Sequence, residues 1–206
     1  MNIKSFENIY FIGIGGIGMS ALAKYFHAQQ KQVSGYDKTP STITSSLESL
    51  GIKIAFNDTF ESIEATYLNP EKTLVITTPA IPKTNTLLNA FKTRDFKIIK
   101  IGISTERKNL YKRINQRVDQ MVKNGLIDEA KKLFQFHKFN ALNTVGYKEL
   151  FDFFDNKLDK ETAIEEIKKN SRRLSKRQMT WFKRDKQINW FKIDQENEII
   201  KFILES

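Results

Sequence analysis

Cysteine is absent from this 206-residue chain. Without thiols the chain can form no disulfide framework, no cysteine-ligated zinc site and no cysteine nucleophile, and a reducing cytoplasm is its natural location. Long apolar runs are lacking too, because glycines interrupt the first apolar stretch, so neither a membrane span nor a signal peptide is expected. We therefore expect a cytoplasmic protein with no membrane partner.

A Gly-Lys dipeptide is also absent. A P-loop requires that pair, because its glycines let the backbone surround the phosphates while its lysine reaches the terminal ones. The sequence therefore has no loop of this kind for ATP or for a diphosphate leaving group. Only two histidines are present, His27 and His137, and isolated histidines are usually structural or solvent-facing.

Positive charge, by contrast, is abundant and uneven. The net charge is +10, of which residues 101–206 carry +7. Nine of the 19 residues 168–186 are Lys or Arg, and Asp185 is the one acid near the end of that stretch. Such a density is typical of a surface that binds a polyanion, and a solvated helix face is the alternative.

The first hundred residues alternate short β-branched or aromatic runs with helical segments. Strands are predicted over residues 8–14, 32–36, 52–56, 73–77 and 96–101, and helices over 19–30 and 41–50. This alternation predicts the α/β class, with a Rossmann-like parallel sheet domain over residues 1–100.

Helical patterns dominate after residue 101. Apolar residues recur every three or four positions over 110–121, and Gly125 is placed to end that helix. Further helices are predicted over 127–134 and 144–154, and a long one from an Asp159 N-cap to about residue 183. We therefore predict that residues 101–206 form an all-α segment.

A glycine-rich turn, Gly13-Ile14-Gly15-Gly16-Ile17-Gly18, lies between the first strand and the first helix. Such glycines permit a tight turn, a close approach to phosphate and helix–strand packing, and the helix start favours an anion. Asp37, about twenty residues later, stands where an acid receives a ribose hydroxyl. NAD is the default ligand of this pattern, and a purely structural turn is the alternative.

Three separated segments, residues 11–23, 34–37 and 77–83, resemble the N-terminal domain of UDP-N-acetylmuramate:L-alanine ligase, and the resemblance covers roughly residues 6–100. It implies that this domain binds UDP-N-acetylmuramate or a similar UDP-sugar. The residues that carry this role by position are Gly13, Gly15, Gly16, Gly18, Met19, Ser20, Asp37, Thr77 and Thr78. The central ATPase domain of these ligases has no counterpart here.

Residues 97–191 resemble the C-terminal portion of bacterial tRNA dimethylallyltransferase, chiefly through residues 117–121, 143–150 and 170–182. That family prenylates an adenine next to the anticodon. The resemblance implies that residues 113–140 grip the anticodon stem of tRNA. The residues implied to contact the tRNA directly are Thr144, Val145, Gly146, Tyr147, Lys148, Lys176, Arg177, Gln178, Thr180 and Lys183.

Helical spacing separates these cations from the apolar residues around them. Arg173, Lys176 and Arg177 share one side, and we expect Leu174 and Trp181 to pack on another. The first of these sides would bind RNA while the second fills a core.

The predicted function is that of a fusion. It joins the tRNA-binding part of a tRNA dimethylallyltransferase to a UDP-N-acetylmuramate-binding domain, and it lacks the catalytic half of either parent. Both parent families use magnesium and the ligase uses ATP, but we expect no cofactor for this chain. A UDP-N-acetylmuramate-binding protein of peptidoglycan synthesis and an NAD-dependent oxidoreductase remain alternatives. Both resemblances share residues 94–100, where we place the junction.

Overall fold

The computed structural model describes residues 6–206, so the first five residues of the predicted N-terminal domain lie outside it. The described chain forms two compact units, the first containing the chain up to Ser104 together with Lys186–Ser206, and the second Thr105–Asp185. We call them the sheet unit and the helical unit. Residues 186–206 belong to the sheet unit rather than to the all-α segment predicted for 101–206.

The sheet unit is built on six parallel strands. They are β1 (Asn8–Ile12), β2 (Gln32–Tyr36), β3 (Lys53–Ala55), β4 (Thr73–Thr77), β5 (Lys97–Ser104) and β6 (Ile188–Lys192), in the spatial order β3-β2-β1-β4-β5-β6. This is the strand order of dinucleotide-binding sheets, in which ligands bind beyond the carboxyl ends of the strands where the order reverses. Here the reversal lies between β1 and β4, and the predicted α/β class with a parallel sheet is confirmed.

Eight α-helices occur within residues 6–206. They are α1 (Ile17–Ala28), α2 (Thr42–Glu48), α3 (Thr86–Lys92), α4 (Arg107–Lys123), α5 (Leu126–Leu133), α6 (Tyr147–Phe154), α7 (Lys160–Phe182) and α8 (Glu196–Glu205). The first three and the last belong to the sheet unit, and the other four form the helical unit.

Both faces of the sheet are buried. On β1 the side chains of Ile9 and Phe11 join a core with α1, α2 and α8, whereas Tyr10 and Ile12 join a second core with α3 on the other face. Strands covered on both sides are mostly apolar along their length, which is why all five residues of β1 are buried and four of them are apolar rather than alternating.

Helix α3, strand β6 and helix α8 were not predicted. The residues of β6 are mostly half-buried and follow a long charged stretch, so the apolar signal is weak. Its position depends on Gly102 of β5, which pairs with Trp190, because a Cβ atom on Gly102 would lie 2.8 Å from Cε3 of that indole. A glycine at this position therefore lets the Trp190 ring cover β5.

The helical unit has a core of its own. Its buried members are Val118, Leu126, Ala130, Leu150, Phe151 and Ile167. Gly125, at a φ of +96°, makes the break between α4 and α5, and the carboxylate of Asp159 accepts a hydrogen bond of 2.7 Å from the backbone N–H of Thr162 at the start of α7. The predicted glycine stop and aspartate N-cap are both confirmed.

Within residues 6–206 no helix is both long enough and apolar enough to cross a membrane.

Candidate nucleic-acid interface and nucleotide-binding turn

The second half of α7 has no buried residue. The buried residues of this helix are Ala163 and Ile167, both in its first third. Further along lies a groove of about 590 Å³, which we call the basic groove. Its lining residues are Arg173, Lys176, Arg177, Thr180, Trp181 and Arg184. These positions are adjacent or three or four residues apart, along one side of α7 and, for Arg184, just past its end, so four cations and one indole share a single surface.

The cations that precede the groove are engaged within the fold. The ammonium group of Lys168 lies 2.7 Å from Asp119 and 2.8 Å from Glu165, and its hydrogen bond to Asp119 is the main reason that its pKa is raised. Arg172 donates a hydrogen bond of 2.7 Å to the side-chain oxygen of Asn115. These residues hold α7 against α4.

The cations of the groove are differently placed. Lys176 and Arg177 are exposed, and no acidic side chain within residues 6–206 pairs with either of them. The basic stretch thus divides into a structural first part and a second part in which Lys176 and Arg177 have no acidic partner within residues 6–206. An unneutralised cluster of this kind attracts polyanions.

Trp181 does not fill a core, so that prediction is wrong. Its side chain is 52% exposed, and it lines the same groove as Arg177. Leu174, expected on the packed side, is 41% exposed. The helical spacing placed the indole on a different side from Arg173, Lys176 and Arg177, but the structure puts it on the same surface as these cations.

The other predicted tRNA-binding segment, residues 144–148, lies at the start of α6. Gly146 has a φ of +108°, a conformation that favours glycine, and its N–H donates to the carboxylate of Glu149 at 2.8 Å. The hydroxyl of Tyr147 donates to Glu129, which raises the pKa of that phenol. Because its ring also lies parallel to that of Phe151, with centroids 6.1 Å apart, Tyr147 is held in place.

Both predicted tRNA-binding segments lie in the helical unit, one at the start of α6 and one along α7. Lys176, Arg177 and Thr180 line the basic groove, whereas Gln178 and Lys183 are exposed outside it. Residues 144–148 do not line it either.

The glycine-rich turn follows β1 and precedes α1, as predicted. The N–H of Gly13 donates to the backbone oxygen of Tyr36 at 2.7 Å, and the N–H of Gly15 donates to the Oδ2 atom of Asp37 at 2.8 Å. A Cβ atom on Gly15 would itself lie 2.8 Å from that oxygen, so a larger residue would displace the carboxylate. Asp37 therefore holds the turn as well as standing at the predicted ribose position.

The first turn of α1 has no side-chain cap and no acidic residue. Ile12, the last residue of β1, pairs with Thr77 of β4, whose hydroxyl is buried without a hydrogen-bond partner within the described structure. An uncapped helix start and an unsatisfied buried hydroxyl thus occur at the carboxyl ends of the two central strands, where the strand order reverses. Buried hydroxyls normally have a partner.

The remaining predicted nucleotide-binding residues have different surroundings. Met19 is 3% exposed and packs in the core, so its side chain faces away from solvent. The hydroxyl of Ser20 donates to the backbone oxygen of Ile17 at 3.0 Å, and that of Thr78 accepts from the N–H of Ala80 at 3.2 Å. Gly16 and Gly18 are exposed at the start of α1.

No group of three or more His, Asp or Glu side chains among residues 6–206 is arranged to hold a metal ion. We derive no step through a metal ion.

Comparison with known proteins assigns the larger part of the chain. Residues 71–185, more than half of its length, match the family model described as IPP transferase. The chain belongs to the IPP transferase family. Among the curated members, a tRNA dimethylallyltransferase of Christiangramia forsetii is 57% identical over 113 residues, which is 55% of this chain and 37% of that protein.

The N-terminal part matches a second family. Residues 8–102 match the model described as Mur ligase family, catalytic domain. The two matches overlap over residues 71–102, which contain β4 and most of β5 and include the predicted junction at residues 94–100. This IPP transferase family member is thus a chimera, as predicted.

The chain spans about a third of the length of the curated relatives it matches. Among solved structures, a tRNA isopentenylpyrophosphate transferase of Bacillus halodurans is 38% identical, with a TM-score of 0.48, over 60% of this chain and 45% of that one. A UDP-N-acetylmuramate-alanine ligase of Thermotoga maritima is 22% identical, with a TM-score of 0.41, over 56% and 30%.

Some residues of the candidate sites were missed from the sequence. Arg173, Trp181 and Arg184 line the groove but were not among the contacts that the resemblance implied, although helical spacing had placed Arg173 on the RNA-binding side. Applying the three- and four-residue spacing of a helix outward from Arg177 reaches all three of them. No sequence signal distinguished the unpartnered hydroxyl of Thr77.

Proposed function

We propose that the helical unit binds the anticodon stem-loop of tRNA through the basic groove. The observation that carries this proposal is the groove itself, in which the cations are exposed and one indole is presented beside them. Cations neutralise backbone phosphates, and an exposed aromatic ring can stack on a base from a single-stranded loop. The relatives in the IPP transferase family support tRNA as the partner, because they are named tRNA dimethylallyltransferases.

A salt titration tests this proposal. Fluorescence anisotropy measures the affinity for an unmodified anticodon stem-loop. The logarithm of this affinity should fall linearly with the logarithm of the salt concentration. Replacing Lys176 and Arg177 together by Gln should lower the slope by about two units, since each lost phosphate contact removes about one.

Lys53→Gln with Lys72→Gln is the matched control, because it removes the same charge from two exposed lysines of the sheet unit. Equal effects of the two double variants would mean that net charge alone attracts RNA, and the groove would have no role of its own.

We also propose that the chain binds its ligands without catalysing the parental reactions. Prenyl transfer needs a diphosphate leaving group to be stabilised, and ligation needs ATP to be held, yet no Gly-Lys pair for a P-loop occurs in the sequence. Incubation with dimethylallyl diphosphate and tRNA should give no product, nor should ATP with alanine and UDP-N-acetylmuramate. Turnover by the purified chain alone in either assay would overturn this proposal.

A second binding function is favoured by the sheet unit. We propose that the glycine-rich turn binds a UDP-sugar such as UDP-N-acetylmuramate, with its phosphates at the start of α1. The support is the unsatisfied hydroxyl of Thr77 together with the uncapped helix. UDP-N-acetylmuramate should therefore raise the melting temperature, whereas NADH should not, which separates this proposal from an oxidoreductase.

Thr77→Val tests the role of the hydroxyl. The variant keeps the shape of the side chain and removes an oxygen that has no partner, so it should diminish the ligand effect without lowering the stability of the free protein. Thr73→Val at the other end of β4 is the matched control. The hydroxyl of Thr73 accepts a hydrogen bond from Asn8, so its loss should lower stability and leave the ligand effect intact.

A cytoplasmic location is part of the same proposal. Both ligands belong to that compartment in the resembled families, and a chain without cysteine needs no oxidising environment.

A further inference from the structure

Glu149 is a buried carboxylate in the helical unit, with 5% of its surface exposed. One oxygen accepts a hydrogen bond from the N–H of Gly146 at 2.8 Å, at the start of α6. The other accepts from the side-chain amide of Asn170 on α7, also at 2.8 Å. The carboxylate therefore joins one of the predicted tRNA-binding segments to the helix that carries the other.

The chain of hydrogen bonds continues into the basic groove. The side-chain oxygen of Asn170 accepts from the guanidinium of Arg173 at 3.2 Å, and Arg173 lines the groove. Three hydrogen bonds thus connect the backbone of Gly146 with a groove cation, through Glu149 and Asn170.

The order of donors and acceptors in this chain is fixed by the residue types. An ionised carboxylate accepts only, so Asn170 must turn its NH₂ group towards Glu149. Its carbonyl oxygen is then left for Arg173, which can only donate. A carboxylate at position 149 therefore determines, through the amide at 170, that Arg173 has an acceptor beside the groove.

We infer that Glu149 and Asn170 are positioning residues that hold Arg173 as an additional phosphate contact of the basic groove. The inference rests on the proposed RNA-binding function and adds Arg173 to the residues that the resemblance assigns to tRNA. Glu149 carries a negative charge and so would not itself bind an anionic ligand, but through Asn170 it orients the cation of Arg173 towards the RNA.

Glu149→Gln tests the inference because it reverses the donors and acceptors in the hydrogen bonds between residues 149, 170 and 173. The oxygen of the new amide can still accept from Gly146, but its NH₂ group then faces Asn170, which must turn its oxygen inwards and its NH₂ group towards Arg173. Donor then faces donor, and Arg173 is released. The slope of log affinity against log salt for the anticodon stem-loop should fall by about one unit. A bulk charge effect would act in the opposite direction, because the variant removes one negative charge from the protein.

Arg173→Gln should give the same loss of slope, and the double variant Glu149→Gln, Arg173→Gln should lose no more than either single variant. Asn170→Leu, which leaves the Gly146–Glu149 bond in place, should lose one unit and serves if Glu149→Gln does not fold. Circular dichroism at the temperature of the titration checks the folding of each variant.

The outcomes separate the two proposals. If the wild-type chain does not bind the stem-loop, the proposed function fails and this inference fails with it. If the wild type binds but Glu149→Gln keeps its slope, or its loss adds to that of Arg173→Gln, the inference alone is overturned.

Discussion

At the scale of single residues, Trp181 has the clearest expected effect. Its indole is exposed beside the cations of the basic groove, and stacking of a base on such a ring contributes about 1–3 kcal/mol. Trp181→Ala should therefore weaken stem-loop binding by roughly tenfold, without changing the salt slope, because no cation is removed. Trp181→Phe, which keeps a flat ring, should retain most of the affinity. A loss of slope in the alanine variant would contradict the stacking role.

Tyr67 makes a prediction about alkaline pH. Burial, and then the negative charge of Glu64, raise the pKa of its phenol from 10.0 to about 12. Between these values the folded protein keeps the proton that the unfolded chain has lost, so the stability present below pH 10 declines as the pH rises towards 12. One phenol proton of this kind lowers the free energy of unfolding by at most about 1.4 kcal/mol for each pH unit in this range.

Urea unfolding of the sheet unit between about pH 9 and pH 12 measures this dependence. Tyr67→Phe, which has no proton to lose, should show a shallower decline than the wild type. Because Tyr10 lies 5.7 Å away between ring centroids and has its own pKa raised mainly by burial, the decline should not vanish in the variant. Identical slopes for both proteins would show that Tyr67 does not contribute.

At this scale, sequence patterns predicted local backbone features correctly but did not predict whether a side chain is buried or exposed. The glycine turn, the stop at Gly125 and the cap at Asp159 each depend on a few neighbouring residues, and they were predicted correctly. The exposure of Trp181 depends on what the rest of the helical unit brings to α7. No local pattern contains that information, which is why the core position predicted for the indole was wrong.

At the scale of elements, Gly102 governs how β6 joins the sheet. A methyl group there would lie 2.7 Å from Ile188 and 2.8 Å from Trp190, so one of these side chains would have to move. Gly102→Ala should therefore destabilise the sheet unit by about 1–3 kcal/mol, the usual cost of overpacking. Gly18→Ala is the matched control, since its added carbon would make only an ordinary contact of 3.5 Å with Ile103.

Chemical denaturation followed by Trp190 fluorescence, in a Trp181→Phe background, measures both glycine variants. The control should match the wild type or exceed it slightly, because alanine is favoured over glycine within a helix. Equal destabilisation by the two substitutions would mean that the close approach of β6 to β5 is not what Gly102 provides.

Elements were predictable where their signal was long or regular. Strands β2 and β4 were predicted at the bounds that the structure has, and α7 was predicted from its cap and its apolar spacing. Strand β6 was missed because an edge strand with half-buried residues does not show a continuous apolar run. Helix α8 was also missed, because its apolar residues Ile199 and Ile203 are buried against the sheet, and the sequence does not show that this segment reaches it.

At the scale of the whole molecule, two units whose cores share no residue imply two unfolding transitions. Ile203 is fully buried in the sheet unit, and Ile167 is 2% exposed in the helical unit. Ile203→Ala should lower the stability of the sheet unit by about 2–5 kcal/mol, as expected for a core isoleucine, and Ile167→Ala should do the same for the helical unit.

Two observables follow the two units separately. In a Trp181→Phe background, Trp190 fluorescence reports the sheet unit, whereas far-UV circular dichroism is weighted towards the long helices α4 and α7. Each variant should shift the transition of its own unit and leave the other in place. If both variants shift both transitions equally, the chain unfolds as a single cooperative body.

The chimeric origin was predictable from sequence, because each parent left its own motifs. What no sequence pattern indicated is that residues 186–206, beyond both family matches, complete the sheet. The IPP transferase match ends at residue 185, yet the chain beyond it supplies β6 to the edge of β5 and supplies Ile199 and Ile203 to the core beneath β1. Pairings between residues so far apart in the chain arise only in three dimensions.

The connection between the last two strands has a consequence during protein synthesis. The ribosome must make the whole of residues 105–185 after β5 and before β6. Until residue 192 has emerged, β5 presents a bare hydrogen-bonding edge on an otherwise assembled nascent sheet, and such edges template aggregation. Translation that pauses within the helical unit should therefore increase the dependence of this chain on chaperones.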